Sequence, residues 1–362
     1  MGHTAPSCRR GRTIPQPGGS GPEDTMECMR IMTETNPLIR LARRPTGIPT
    51  TEDLVYEEAP VPQPAPGEVL VRNRFLSLDP YMRGRMNDVK SYAPPVALGA
   101  VMEGQSVGQV VSGPGFEPGT WVLGGRGWQH YCSVPPHLLV PVDAEAAPPS
   151  AYLGVLGMPG TTAWVGCTEI APVKPGETFV VAAASGAVGA VAGQIARRMG
   201  ARVVGIAGGA EKCAYVRDEL GFDACVDHRG EDLPAALAEA CPRGIDVYFE
   251  NVGGAVQRAV WPLLNPFARV AMCGMVAEYN DGTPAPGPNL MSAVRNKLSI
   301  RGFIVGDHPR QFPVWRETGA RWLREGVLTY REDVVHGLRN APGAFAGLLS
   351  GKNFGKLVVA LD

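Results

Sequence analysis

Ala182 to Gly200 reads AAASGAVGAVAGQIARRMG. The run that leads into it, ETFVVAAA (Glu177–Ala184), has the apolar pattern of a buried strand. After it, Val188, Val191, Ile195 and Met199 recur at helical spacing. A strand that enters a helix through a glycine-containing loop predicts the first unit of a dinucleotide-binding fold. Aligned on the pattern G-x-G-x-x-G, the loop is Ala184-Ser185-Gly186-Ala187-Val188-Gly189, with alanine in place of the first glycine. Gly186 lets the backbone approach a pyrophosphate, and Gly189 lets helix and strand pack closely. The helix N-terminus adds amide donors and a partial positive charge. Taken alone, the motif is also compatible with a glycine-rich helix start that merely packs tightly.

The second strand, RVVGI, follows at the right distance and leads into Gly208-Gly209 and Lys212. An Asp or Glu is expected about 20 residues after such a loop when the cofactor ribose carries a free 2′-hydroxyl. Two glycines leave room there for a 2′-phosphate, and Lys212 offers it a charge. A hydrogen bond to a charged group is worth roughly 1.5–3 kcal/mol, about tenfold to a hundredfold in affinity, which predicts NADPH in preference to NADH. Glu211 stands against this, although a carboxylate in a first helical turn is common for dipole reasons. The other reading of Lys212 is a solvated helix lysine.

Strands and helices keep alternating after Thr178, through ACVD, IDVYFEN, RVAMCG and LSIRGFIV, which implies an α/β architecture with a doubly wound parallel sheet. From about Leu54 to Val142 the texture is different. GEVLVRNRFLSLD, GQSVGQVVSG, GTWVLGG and WQHYCSVPP are short β segments with Pro and Gly between them, the pattern of a β-barrel or partial barrel. RETGARWLREGVL reads as an amphipathic helix, and the last strand, KLVVAL, is expected to return to the N-terminal barrel.

At 362 residues the chain can hold two domains, each with its own core. Its 34 Lys and Arg nearly balance 35 Asp and Glu, for a net charge of −1, so no basic field draws it to nucleic acid or to a membrane surface. No apolar run approaches the roughly 18–20 residues of a membrane span. The eight cysteines are scattered, with no C-x-x-C pair and no His/Cys cluster at ligand spacing. That argues against a structural zinc lobe and a disulfide framework, and a reducing cytoplasm is the simplest compartment. Residues 1–31 read as a disordered extension: GRTIPQPGGSGPEDT (Gly11–Thr25) has too few apolar residues to offset its ordering entropy. A translation start at Met26, Met29 or Met32 is the alternative.

Several separated segments together resemble a known family: LSLDPYMRGRM (Leu76–Met86), GMPGTTAW (Gly157–Trp164), the phosphate loop, YFENVGG (Tyr248–Gly254), CGMVAEYN (Cys273–Asn280) and GKNFGKLVV (Gly351–Val359). The chain resembles the zinc-independent branch of the medium-chain dehydrogenase/reductase superfamily, in the group of leukotriene dehydrogenases, prostaglandin reductases and alkenal/one reductases. The resemblance implies a GroES-like β-barrel domain over residues 32–151 and 319–362, and a Rossmann domain over 152–318. It implies an active site between them, NADPH, a homodimer, and reduction of an activated carbon–carbon double bond. By position it gives the pyrophosphate to Gly186, Ala187, Val188 and Gly189, and the 2′-phosphate to Lys212. It places Met158, Thr162, Asn251, Cys273 and Gly274 near the cofactor, with Phe303, Ile304, Val305 and Asn353 beside the nicotinamide. His228 stands where the family often has a tyrosine on the 2′-phosphate. With an unperturbed pKa near 6.5 it predicts NADPH affinity that weakens between about pH 6 and 8; a surface histidine without a role is the alternative. His130, where the family commonly has an acid, reads as a structural strand residue.

The metal-dependent members of the superfamily use Cys and Gly-His-Glu ligands. The matching stretches here, LSLDPYMRG and ALGAVMEGQ, hold no ligand set, so no metal is expected. The reaction that fits is hydride addition to the β-carbon of an enone or enal, with a proton taken at the α-carbon. The protein then has to hold the reacting carbons roughly 3–3.5 Å apart and aim a donor at the developing enolate oxygen. Tyr279 is the candidate donor, although a cofactor ribose hydroxyl can do the same work. Tyr81, in DPYMR, is the second candidate, on the barrel side of the cleft. Arg83 and Arg85 are weaker candidates for a substrate carboxylate, with solvated loop arginines as the plainer reading. His308 falls on a loop that could cover the substrate. A quinone oxidoreductase of the same superfamily and a non-catalytic NADPH sensor are the alternative functions.

Overall fold

The computed structural model describes residues 1–2, 35–280 and 286–362. The N-terminal extension expected over residues 1–31 lies almost wholly outside the described residues. Strands β1 (Thr35–Leu41) and β2 (Leu54–Pro60) form an antiparallel pair. They are followed by β3 (Val69–Ser77), β4 (Gln105–Ser112), β5 (Trp121–Arg126), β6 (Tyr131–Val134) and β7 (Val140–Pro141). β3 is the hub, pairing antiparallel with both β4 and β6. Its sequence, VLVRNRFLS, buries Val69, Leu70, Val71 and Leu76. A tight turn then carries Asp79, Pro80 and Tyr81 into a short helix, Met82–Arg85.

The second sheet is built from β8 (Thr178–Ala182), β9 (Arg202–Ala207), β10 (Ala224–Asp227), β11 (Ile245–Glu250), β12 (Leu264–Met272) and β13 (Ser299–Gly302). Its order is β10-β9-β8-β11-β12-β13 and every pair is parallel. Helices cover both faces, so the inner strands are near-continuous apolar runs. All five residues of β8 are buried, and Phe179 of β8 meets Phe249 of β11 at 6.4 Å between ring centroids. The helix after β8, Gly189–Arg198, buries Val191 and Ile195, two of the four residues that defined its period in the sequence. Each such aliphatic side chain contributes about 1.5–3 kcal/mol by leaving water. The direction of winding reverses between β8 and β11, which opens a crevice at their carboxyl ends.

Helix Gln311–Arg324 packs on helix Met158–Val165 through a tryptophan cluster. Trp164 stacks on Trp315 at 5.6 Å, Trp322 meets Trp315 edge-on at 5.8 Å, and the Trp315 indole N–H donates to the Val155 carbonyl at 2.8 Å. Aromatic pairs of this kind add about 0.5–1.5 kcal/mol each beyond their burial. The domain limit expected at 318/319 falls inside this continuous helix. It returns as β14 (Glu332–His336) and β15 (Lys356–Ala360). β15 runs antiparallel to β3, which is the return expected for KLVVAL. β14, parallel to β15, was not anticipated: EDVVH is short, and none of its residues is fully buried. The first sheet thus reads β14-β15-β3-β4-β5-β7, with β6 also on β3.

Candidate active site

A cleft of about 440 Å³ lies between the carboxyl ends of the parallel strands and the β domain. Its β-domain wall is the turn after β3 and the segment from Ser350 to Leu357 that feeds β15. The size suits a ligand-binding pocket. The residues that the resemblance places on the cofactor, together with Tyr81 and Tyr279, line this one cleft.

At the middle of the cleft, β8 ends at Ala182 and the loop begins with Ala183 in a left-handed conformation, φ +53°. A Cβ added to Gly189 would stand 2.3 Å from the Ala183 carbonyl oxygen and 3.0 Å from Ala184 Cα. The third glycine therefore makes the close helix–strand approach expected of it. Helix Gly189–Arg198 has no side-chain cap; its Ala190 N–H donates to the Gly186 carbonyl at 3.0 Å, and the amides of Ala187, Val188 and Gly189 remain available at the cleft. Gly186, Ala187 and Val188 line the cleft beside them, and Gly186 forms an isolated parallel bridge with Gly355 of the opposite wall. This arrangement fits a pyrophosphate.

One end of the cleft is basic. β9 ends at Ala207, and Gly209 takes φ +98°, a backbone that demands glycine. The Gly209 N–H donates to Asp227 Oδ1 at 2.9 Å, as does the Arg229 N–H. These two amide bonds, first among its influences, hold the Asp227 carboxyl below its usual range. The carboxylate at this end is thus spent on backbone and does not line the cleft. Glu211 sits in the first turn of helix Ala210–Asp218, also off the cleft. What lines it is Lys212, His228 and Arg229. A Cβ on Gly208 would lie 2.7 Å from His228 Nε2 and 3.0 Å from Arg229 Nε, so both side chains lean over the double glycine. Lys212 reaches across to donate to the Gly351 carbonyl at 2.8 Å. Among the described residues no carboxylate lies within 4.0 Å of these three basic groups. Partial burial and then the Arg229 charge lower the pKa of both His228 and Lys212. Unpaired, mutually repelling cations around a small-residue floor fit a phosphate monoester.

The other end is apolar and phenolic. Asn251, just after β11, donates from Nδ2 to the Ala182 carbonyl at 2.9 Å and so ties β11 to the loop end of β8. The Cys273 and Gly274 amides donate to the Glu250 carbonyl at 3.0 and 3.1 Å. Burial pushes the Cys273 thiol up to about 12, so it is a neutral wall residue. Met158 and Thr162 lie on helix Met158–Val165, where the Thr162 hydroxyl donates back to the Met158 carbonyl at 2.8 Å. Phe303, followed by Ile304 and Val305, meets Phe249 edge-on. Asn353 Nδ2 donates to the Gly355 carbonyl at 2.8 Å. The Tyr279 hydroxyl accepts from the Met275 N–H at 3.3 Å, which leaves its own proton to give. Burial raises its pKa, so that proton is present at neutral pH. Tyr81 is held protonated by burial and by the nearby Asp79 charge.

Other residues singled out from the sequence lie elsewhere. Arg83 is buried, donating to the Gly47 carbonyl at 3.0 Å and the Pro45 carbonyl at 3.1 Å; Arg85 pairs with Glu103. Neither reaches the cleft, and neither is a solvated loop arginine. His130 lies just before β6, its backbone bonded to Pro37 and Asn73, and does not line the cleft. His308 is held by Glu169 at 2.7 Å, away from the cleft. Beyond Tyr279, no residue between 286 and 296 lines the cleft; residues 281–285 lie outside the described residues. Sequence reading missed Arg229, the ring of Tyr92, and a buried pair, Asp79 and Lys356, all on the cleft. Arg229 had a signal, since it adjoins His228. Lys356 had none, because a lysine that opens a strand normally points to solvent.

A family model described as the N-terminal domain of oxidoreductase matches residues 38–142, and one described as zinc-binding dehydrogenase matches residues 187–321. Among the described residues no group of three or more His, Cys, Asp or Glu is placed to hold a metal ion. The NADPH-dependent curcumin reductase of Escherichia coli (strain K12) is 49% identical over 327 residues, 88% of this chain and 95% of that protein. The NADP(+)-dependent 2-alkenal reductase of Nicotiana tabacum is 39% identical, over 91% of this chain and 98% of that protein. A crystal structure of CurA in complex with NADPH from Vibrio vulnificus shares 47% identity, with a TM-score of 0.86 over 90% of this chain and 99% of that one. The chain belongs to the medium-chain dehydrogenase/reductase superfamily, in its zinc-independent branch of leukotriene dehydrogenases, prostaglandin reductases and alkenal/one reductases.

Proposed function

We propose that this protein reduces the activated carbon–carbon double bond of α,β-unsaturated ketones and aldehydes with NADPH. The observation that carries the reading is the division of one cleft into a carboxylate-free basic end and an apolar end that carries protonated tyrosines. Relatives named for curcumin, alkenal, pulegone and prostaglandin reduction support the same class of substrate. When bound, NADPH supplies the hydride for the β-carbon.

The chain's own residues divide the remaining work. Gly186 to Gly189 and the uncapped helix amides hold the pyrophosphate. Lys212, His228 and Arg229 hold the 2′-phosphate. Met158, Thr162, Asn251, Cys273, Gly274, Phe303, Ile304, Val305 and Asn353 wall the nicotinamide half and keep water out. Tyr279 donates its hydroxyl proton as a hydrogen bond to the developing enolate oxygen, and the Met275 N–H fixes the direction of that hydroxyl. Tyr81 contacts the substrate carbonyl from the β-domain side.

The same reading includes a homodimer in the cytoplasm. β13 is the outer strand of the parallel sheet and all four of its residues are exposed. Ile300 on this strand and Leu290, Met291 and Val294 just before it in the chain are exposed apolar residues, and an open strand edge is a template for pairing. The described cysteines are all free thiols, and among the described residues no helix is long and apolar enough to cross a membrane.

The test is the loss of NADPH absorbance with a panel of acceptors: a medium-chain enone, a hydroxyalkenal, an oxo-prostaglandin and two quinones, with NADH and a chelator as controls. Chelator-resistant turnover of the enone or enal with NADPH preferred is the expected result. Turnover of quinones alone would overturn the reading.

A further inference from the structure

Apart from the three basic residues at the 2′-phosphate end, the charged side chains that line the cleft are Asp79 and Lys356, among the described residues. Both are buried, 6% and 3% exposed. The Lys356 ammonium donates to Asp79 Oδ1 at 2.7 Å, to Ser77 Oγ at 2.7 Å and to the Leu78 carbonyl at 2.9 Å, so all three donors are used. Ser77 Oγ donates in turn to Asp79 Oδ2. The three acceptors are consecutive residues at the end of β3. The next two, Pro80 and Tyr81, complete the turn, and the Met82 N–H closes it on the Asp79 carbonyl at 3.1 Å.

Burying an ion pair is not needed to join β15 to β3. Their ladder already does so through Val358, Val359 and Ala360 opposite Ser77, Leu76 and Phe75. An apolar pair of similar volume would serve stability as well or better. What the ammonium adds is a fixed point. It draws the backbone of Leu78 and the side chains of Ser77 and Asp79 onto one atom, one turn ahead of Tyr81. The residue before it, Gly355, bridges to Gly186 in the phosphate loop. One short segment therefore touches the pyrophosphate loop with one residue and the tyrosine-bearing turn with the next.

We infer that Lys356 is a positioning residue of the reductase site: it clamps the Ser77–Asp79 turn to the segment that meets the phosphate loop and thereby sets the place of the Tyr81 hydroxyl. This rests on the reading of Tyr81 as a substrate contact. Lys356 touches neither substrate nor hydride. It also neutralises Asp79, so that a developing enolate does not face a bare carboxylate.

The test compares Lys356→Met, Ser77→Ala, Tyr81→Phe, the apolar pair Asp79→Leu/Lys356→Met, and Tyr81→Phe/Lys356→Met. The readouts are melting temperature, NADPH affinity by fluorescence, and kcat and KM for an enone. Lys356→Met leaves Asp79 buried and unpaired and is the variant most at risk of misfolding; Ser77→Ala and the apolar pair keep the question open to test. Misplacing a contact by about 1 Å can cost about a hundredfold. The expected result for the apolar pair is a native melting temperature, NADPH affinity within about twofold of wild type, and kcat lowered about tenfold to a hundredfold. Ser77→Ala should lower kcat in the same sense but less. In the Tyr81→Phe background the loss from Lys356→Met should nearly vanish. Losses that multiply instead, or an apolar pair with wild-type kcat, would overturn the role of Lys356 while leaving Tyr81 in place. If Tyr81→Phe alone leaves kcat unchanged, the Tyr81 contact falls, and the role of Lys356 falls with it.

Discussion

Removing Lys212 and Arg229 from the basic end of the cleft one at a time should separate them by how many of their donors are free. Lys212 enters the complex from an existing bond to the Gly351 carbonyl at 2.8 Å. That bond takes one of the three ammonium donors; a hydrogen bond to a charged group is worth roughly 1.5–3 kcal/mol, and solvent screening of this partly exposed group lowers the contribution to about 1 kcal/mol. Lys212→Ala should weaken NADPH binding about fivefold. The Arg229 guanidinium leans over Gly208 and makes no hydrogen bond or ion pair among the described residues, so all five of its donors are free. It is exposed, which reduces its contribution through solvent screening to about 1–2 kcal/mol. Arg229→Ala should therefore cost about fivefold to thirtyfold. Binding is measured by fluorescence titration with NADPH and NADH and by calorimetry with 2′,5′-ADP against 5′-AMP, at low and at high salt. NADH and 5′-AMP should bind alike to all variants, and high salt should shrink both losses. A loss at Lys212 larger than that at Arg229, or an equal loss of NADH affinity, would refute the reasoning.

Tyr279→Phe removes the donor and leaves the Met275 N–H without its acceptor; kcat should fall by up to about a hundredfold to a thousandfold with NADPH affinity unchanged, and an unchanged kcat in steady-state assays would exclude the role. His228 faces Asp227, Arg229 and Lys212, and its pKa in the free protein lies below the usual 6.5. A bound 2′-phosphate raises it, so binding takes up a proton and NADPH affinity should fall as pH rises from about 6 to 8; titrations of the wild type against His228→Gln check this, the difference between them removing the phosphate's own ionisation. Gly189→Ala places a Cβ 2.3 Å from the Ala183 carbonyl; overpacking of this kind costs about 1–3 kcal/mol, so the melting temperature and NADPH affinity should drop together.

The parallel sheet was legible because its signals are local. A buried strand, a glycine loop and a helix of fixed period lie within 25 residues, and parallel strands covered on both faces have to be apolar throughout. The strands of the β domain were legible for a related reason, since short alternating runs between Pro and Gly have few other structures open to them. β14 escaped because EDVVH, with none of its residues fully buried, has no clear period to read. The limit placed at 318/319 falls inside a helix because nothing local in the sequence marks where that helix ends. Helix Gln311–Arg324 is fixed by Trp315 and Trp322 against Trp164, a contact more than 140 residues away in sequence.

The site divides in the same way. Gly186, Gly189, Gly208 and Lys212 declare themselves by spacing from one loop, and Asn251, Cys273 and Tyr279 by the strand ends they follow. The charges mislead when read alone. Glu211 seemed to argue against a 2′-phosphate, yet it lies off the cleft, and the nearest acid, Asp227, is occupied by two backbone amides. Arg83 and Arg85 are read from the sequence as cations for a substrate carboxylate, yet each is held by partners inside the β domain. Lys356 drew no reading from the sequence and is the most deeply buried cation on the cleft among the described residues. A charge in a sequence carries no record of its partner, and partners as far as 279 residues away decide which of these charges a ligand can meet. The glycines needed no partner to be read, because their information lies in the backbone they permit.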